Sequence, residues 1–541
     1  MTKSDSAFRI PHSAFAWLIL AVIVVFVYFF GLSIPLLGPD EPRYSQVARE
    51  MFERGDWITP TLGGFHWFEK PALLYWLQIA AYNVFGVSEF SARFGSALFG
   101  LGTIFSLWVL GRLSEPPAVA GGLTFGTKNR TQSNDFANWL GLIAASSVGI
   151  IVFSRGASFD IILTFPMTAA LVSFYIFDRR VQPPANAGGS DIFRVFAPLL
   201  AFYFFIGVAL LAKGLVGIVF PFAIVGFYYL TSWRFPGRTF ILSLVWGTIL
   251  SAVVASAWYL PMYQRHGWEF IDEFFIQHHF QRYTSNKYFH PQPFYFFFWV
   301  LPLMTIPWLP FFVGAIWDFG RKLFHHRDTE NTVESGKKTP NLRVSASPHL
   351  PISPSPLLLF AAVWLLVPLV FFSFSGSKLP GYILPAVPPA LILSAICLFR
   401  FVRNSELRLR LVQATALATF IIVLALIIFV VPRFAEADSV KGLIQAANDS
   451  GYHGENVLTL HVISHNAEFY APGRLLRDDS GKQKKLLGTA EVLAELKRNN
   501  NKPALVLVPL EYLRQLQDSP LLQSKVLKDN GELAIVYVQA N

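Results

Sequence analysis

Long, nearly uncharged apolar runs recur along most of the chain. Runs of roughly 17 to 25 residues, enough to cross an apolar layer of about 30 Å at about 1.5 Å per helical residue, fall near 14–36, 94–111, 137–153, 158–177, 195–212, 215–232, 239–260, 293–317, 357–375, 381–399 and 411–431. They predict a polytopic α-helical membrane protein with eleven spans, thirteen at the upper bound. After Val431 the period changes, and strand-like VLTLHV, ALVLVPL and LAIVYV alternate with helix-like TAEVLAELKRN and LEYLRQLQ. The expected division is a transmembrane unit over 1–432, with a long outer loop at 38–90, and a soluble α/β unit over 433–541.

Lys3 and Arg9 precede the first run, which is longer than the apolar core of a cleaved signal and has no A-x-A-like site behind it. An uncleaved first span with a cytoplasmic N-terminus is the expectation. Counting from there, the inner loops collect Lys128, Arg130, Arg179, Arg180, Arg234, Arg238, Lys322, Lys337, Lys338, Arg403 and Arg408, as the positive-inside rule requires. An odd span count then puts the 433–541 unit outside. Two inner loops contain Pro-, Gly- and Ser-rich insertions, 116–134 and 328–352, without the apolar content to build a core.

Composition agrees with the pattern: 53% of residues are apolar, 14% are charged, 53 of 541 are Phe, and the mean hydropathy is +0.45. The net charge of +10 comes from short clusters between apolar runs, which argues against a nucleic-acid partner. A single cysteine, Cys397, excludes an intrachain disulfide.

The chemistry gathers on the outer side. GPDEPRYS, Gly38 to Ser45, sets two carboxylates and an arginine directly behind the first span. Tyr44 to Arg54 has helical spacing with Val47, Met51 and Phe52 on one side, an amphipathic helix for the interface. Trp57, Phe65, Trp67, Phe68, Tyr75 and Trp76 read as a headgroup belt. Other outer turns supply Arg155 and Asp160, then Lys213, then Arg265, His278, His279, Arg282 and His290, then Lys378 and Tyr382. A hydrated helix end or a snorkelling anchor accounts for any one of these, and an N-terminal cap for Asp40 and Glu41. It does not account for five loops sharing one face. A carboxylate there can take a proton from a hydroxyl, while Lys and Arg bind a phosphate and stabilise its departure. A lipid-linked phospho-sugar needs both. A transporter would instead place charges at mid-membrane and show inverted repeats; a flippase or polymerase of lipid-linked sugars would share the phosphate site without the base.

Several of these stretches occur together in a known group. DEPRYSQVAREMFERGDWITPTLGGFHWFEKPALLYW with FGVSEFSARFGSAL, then SRGASFDIILTFPM, LLAKGLVG, HHFQRY with HPQPFYFF, and SKLPGYILPA resemble, in order over about residues 10 to 400, the aminoarabinose-transferase branch of the lipid-dependent GT-C glycosyltransferases. That branch is related to the protein O-mannosyltransferases of glycosyltransferase family 39. The resemblance implies inverting transfer of a sugar from a polyprenyl-phosphate donor to an acceptor hydroxyl at the outer face of the cell membrane. The acceptor would be a lipid A-type glycolipid, another envelope glycan or a protein. Carried over by position, it makes Asp40 the base, Glu41 its neighbour and Asp160 a second acidic site residue. Arg43, Tyr44, Lys70, Arg282, Lys378 and Tyr382 would hold the donor, and Glu69 with His278 a divalent metal. His279 departs from the Asn usual in the group.

Overall fold

The computed structural model describes residues 14–114, 128–180, 191–281, 291–333, 355–402 and 405–541. Arg282, His290 and most of the two insertions lie outside these, as does the side chain of His279.

Each apolar run is mainly helical where it is described, the first only as far as Phe29. In chain order the first elements are α1 (Ala14–Phe29), α2 (Asp40–Arg54), the hairpin β1–β2 (Thr61–Leu62, Phe65–His66), α3 (Leu73–Phe85) and α4 (Glu89–Leu113). Then come α5 (Lys128–Ala145), α6 (Val148–Ser154), α7 (Phe159–Arg180), α8 (Asp191–Lys213), α9 (Val216–Thr231) and α10 (Arg238–Phe270), which continues as a π-helix, Ile271–Gln281. The bundle is completed by α11 (Phe296–Met304), α12 (Leu309–Val333), α13 (Pro356–Ser373), α14 (Val387–Val402) and α15 (Glu406–Asp438).

Among the described residues, seven helices are long and apolar enough to cross a bilayer, or eight if α5 and α6, bent by 57°, form one span. The remaining three expected runs fall short by length: α1 and α9 have 16 residues each, and α11 is parted from α12 by a turn at Thr305–Trp308 that contains Pro307. The outward faces are apolar. On α10, Leu242, Val245, Ile249 and Val253 recur at helical spacing and are 71%, 72%, 59% and 62% exposed, a stripe that only lipid would tolerate. The chain is a multi-pass membrane protein. Inside the bundle the many aromatics interlock: Phe174 meets Phe202, Tyr228, Tyr229, Phe240 and Phe360 with ring centroids 5.4–6.3 Å apart.

The expected outer loop 38–90 is a folded layer rather than a loop. The buried face of α2, Tyr44, Val47, Ala48 and Met51, packs on protein, with α3 and the helix His465–Tyr470 as the main neighbours of α2. Phe68 and Tyr75 are fully buried and belong to the core, not to a headgroup belt; Trp57 and Phe65 stay exposed.

Beyond α15 lie α16 (Lys441–Asp449), β3 (Val457–Leu460), α17 (His465–Tyr470), β4 (Lys485–Leu486), α18 (Thr489–Arg498), β5 (Ala504–Pro509), α19 (Leu513–Gln517), β6 (Leu522–Asp529) and β7 (Leu533–Ala540). The five strands form one sheet in the order β4-β3-β5-β7-β6, parallel from β4 to β5 and antiparallel beyond. Both faces are covered, so alternate residues of β5 enter different cores. Val506 and Val508 meet Val492, Leu496 and Leu516, whereas Leu505 and Leu507 meet Leu443, Ile444 and Ala467.

Candidate active site

Between α1 and α2 the chain runs without regular structure, and two arginines take up its carbonyls. Arg155, just after α6, donates to Val27 O and Phe30 O at 2.6 Å each, satisfying groups that α1 leaves open at its end. Arg93, within α4 and only 4% exposed, donates to Leu32 O at 2.9 Å, to Ile34 O, and to Pro35 O at 3.0 Å. The same guanidinium grips Glu41, Nη2 to Oε2 at 2.6 Å and Nε to Oε1 at 3.1 Å, so all five of its N–H groups are used. Glu41 also accepts from the backbone N–H of Leu37 at 2.9 Å and of Ala157 at 2.6 Å. Its carboxylate is saturated.

Asp40 differs from its neighbour. It is the first residue of α2, its side chain is 48% exposed, and one oxygen meets Arg43 Nη2 at 2.5 Å. Arg43 also donates to Pro39 O at 2.9 Å and lies 5.8 Å from the centre of the Trp67 ring. Burial opposes the charge on Arg43, but Asp40, Tyr44 and Glu69 outweigh it and raise its pKa. Burial, then Glu69 and Asp40, push the Tyr44 hydroxyl up as well. Asp40, Arg43, Tyr44 and Glu69 therefore share one electrostatic neighbourhood. Lys70 Nζ stands 2.8 Å from Glu69 Oε1, both side chains being largely buried. The Tyr44 ring meets Phe159 edge to face at 4.9 Å, which ties α2 to the start of α7.

Asp160, in the first turn of α7, pairs with Lys213 from the end of α8 and receives the Ser158 hydroxyl at 3.4 Å. Lys213 Nζ lies 5.0 Å from the centre of the Tyr382 ring. The backbone of Gly381 approaches Asp160 so closely that a Cβ there would collide with the carboxylate, which explains glycine in SKLPGY. Lys378 is buried, and its Nζ donates to Ser375 O at 2.6 Å and Gln292 O at 3.0 Å. Burial lowers its pKa. It faces carbonyls, binding two turns together.

The C-terminal unit closes one side of this neighbourhood. Gly38 N donates to Asp438 at 3.0 Å and Leu36 N to the Tyr470 hydroxyl at 2.8 Å, while Lys441 pairs with Glu89 at 2.6 Å. His465, opening α17, is near enough to Asp40 and Arg43 to feel both; burial, then Arg43, push its pKa down to about 4 against the pull of Asp40.

The structure thus gathers Asp40, Glu41, Arg43, Tyr44, Glu69, Lys70, Asp160, Lys378 and Tyr382 at one end of the bundle. His278 sits on the π-helix with Nε2 4.0 Å from Glu273. As a metal pair, Glu69 and His278 fit poorly: Glu69 is engaged by an ammonium, and neither belongs to a group of three potential ligands among the described residues. Arg93 went unread in the sequence, although an arginine four residues into an apolar helix is a signal in itself.

Residues 18–271 match the family described as dolichyl-phosphate-mannose-protein mannosyltransferase (PMT). The chain resembles the PMT-type lipid-dependent glycosyltransferases, as its motifs implied. It is 28% identical over 430 residues, 78% of its length, to an Aeromonas hydrophila protein named undecaprenyl phosphate-alpha-4-amino-4-deoxy-L-arabinose arabinosyl transferase. A Serratia proteamaculans protein of the same name is 26% identical over 70% of the chain. These matches span 67% and 58% of the two relatives' own lengths. The fold is that of the crystal structure of ArnT from Cupriavidus metallidurans bound to undecaprenyl phosphate, with a TM-score of 0.73, 21% identity, and coverage of 97% of this chain and 98% of that one.

Proposed function

We propose that the protein is an inverting glycosyltransferase that moves a sugar from a polyprenyl-phosphate donor to an acceptor hydroxyl on the outer face of the membrane. The observation that carries this is an exposed carboxylate, Asp40, paired with Arg43 and sharing one electrostatic neighbourhood with Glu69, which itself holds Lys70. Asp40 takes the proton of the acceptor hydroxyl; the acceptor oxygen attacks the anomeric carbon from the side opposite the phosphate, and the carbon–phosphate oxygen bond breaks. Lys70, Arg43 and Arg282 neutralise the charge that builds on the departing lipid phosphate. Glu41 acts through Arg93 by fixing the loop that presents Asp40, and so is a positioning residue. Asp160 and Lys213 with Tyr382 form the far wall, and Lys378 braces it. No step is routed through a metal at Glu69 and His278.

The relatives' names favour undecaprenyl phosphate as the lipid and aminoarabinose as the sugar; the acceptor proposed with the motif resemblance is a lipid A-type glycolipid, another envelope glycan or a protein. The topology proposed with this reading has eleven spans, a cytoplasmic N-terminus, a transmembrane unit over 1–432 and an outer unit over 433–541. The test is transfer by the purified protein from a polyprenyl-phospho-sugar, read by mass spectrometry of the acceptor. Product that forms with wild type and falls with Lys70→Ala supports the reading. Donor translocation without product would favour a flippase of lipid-linked sugars instead.

A further inference from the structure

The end of α10 carries a second constellation that the transfer chemistry leaves unused. His66, on the second strand of the hairpin, and His266 and Glu269, at the end of α10, offer one ligand atom each, all within 4.8 Å of one another. His66 Nδ1 already stands 2.9 Å from Glu269 Oε1. A tetrahedral ion with bonds of about 2.0–2.1 Å separates its ligands by about 3.4 Å, so small side-chain movements would close the set.

Three features prepare these groups. Gly267 interrupts α10 at φ +54°, ψ −127°, a conformation other residues adopt only under strain, and the break lies between His266 and Glu269. Thr59 Oγ1 bonds His266 Nε2 at 2.9 Å, the kind of outer partner that bound histidines generally have when the other ring nitrogen faces the ion. Phe68 stacks on His66 at 4.8 Å and packs against His266 at 5.0 Å, fixing both rings. The neighbouring cation Arg265 is paired with Asp56 at 2.8 Å, which offsets its charge, and also reaches Thr59 Oγ1 at 3.5 Å.

We propose that His66, His266 and Glu269 bind a zinc-class divalent cation, with water in the remaining position. Two neutral imidazoles and one carboxylate suit a borderline-soft ion. His66 is 41% and Glu269 56% exposed at the side chain, so the ion has an entry path. The hairpin leads into Glu69 and Lys70, so the ion ties the segment proposed to hold the donor phosphate to the end of α10. The site does not depend on the transfer reaction being the right one.

The full-length protein in detergent, stripped with EDTA and dialysed against zinc, is expected to retain about one zinc per chain and to melt higher with zinc than without. His66→Ala, His266→Ala and Glu269→Gln should lose the zinc and its thermal shift while melting, metal-free, with the metal-free wild type. Thr59→Ala should weaken zinc binding by roughly 10-fold. Glu69→Gln and His278→Ala should keep it. A wild type that retains no zinc overturns the proposal, as does zinc retained by the three ligand variants or lost on replacing Glu69 or His278.

Discussion

Replacing Glu41 by Gln removes one acceptor oxygen from a carboxylate that receives four donors: two from Arg93 at 2.6 and 3.1 Å, Leu37 N at 2.9 Å and Ala157 N at 2.6 Å. The amide keeps one carbonyl oxygen but turns its NH₂ toward N–H groups, and it leaves the Arg93 guanidinium, 4% exposed, without its counter-charge. Breaking a buried ion pair from one side costs about 3–5 kcal/mol. Because Arg93 keeps its three backbone carbonyls, the low end applies, about 3 kcal/mol. Thermal unfolding in detergent should therefore shift down by several degrees, and transfer should slow because the loop presenting Asp40 loosens. The deciding readout is the acidic limb of the pH–rate profile. It should survive in Glu41→Gln, since Asp40 still supplies the base, and Glu41→Asp should restore part of both rate and stability. Loss of that limb would make Glu41 the proton acceptor, and an unchanged melting temperature would refute the clamp.

Lys70→Ala should weaken donor binding and also lower kcat, because a phosphate clamp acts on the ground state and on the departing group; equilibrium binding of a polyprenyl phosphate and single-turnover rates separate the two. His465 gives a pH signature: its folded pKa of about 4 lies below the ordinary value of 6.5, so the unfolded state binds a proton first as pH falls. Stability should hold above pH about 6.5 and fall between about 6.5 and about 4; His465→Asn should flatten that stretch of the melting-temperature profile, and an unaltered profile would contradict the burial of His465. A reporter fused after Val431 should be active only on the outer side; cytoplasmic activity would reverse the proposed topology.

Where a signal was local, the sequence revealed it. The apolar runs became helices, and VLTLHV, ALVLVPL and LAIVYV contributed β3, β5 and β7 because continuous apolar stretches suit a sheet covered on both faces. β6, LQSKVLKD, escaped notice since it is an edge strand with largely solvated side chains. α3 escaped because LLYWLQIAAYNVF, at 13 residues, is too short for a span and too apolar for an interfacial helix; it is a core element of the layer over the bundle. GPDEPRYS pointed to the candidate site, but nothing in it distinguishes Asp40 from Glu41. That distinction comes from Arg93, 52 positions away from Glu41, and from Ala157, 116 away. The grouping of His66 with His266 and Glu269 likewise depends on a chain reversal spanning about two hundred residues.

The central claim is that Asp40 is the base. Asp40→Asn keeps size and the contact with Arg43 but removes the proton acceptor. The direct measurement is the rate of sugar transfer from a purified polyprenyl-phospho-sugar under saturating donor, with donor affinity determined on the same preparation. The account expects the rate to fall by roughly 10²- to 10⁴-fold with affinity little changed; transfer at near the wild-type rate would contradict it and leave Asp40 as the acidic first turn of α2.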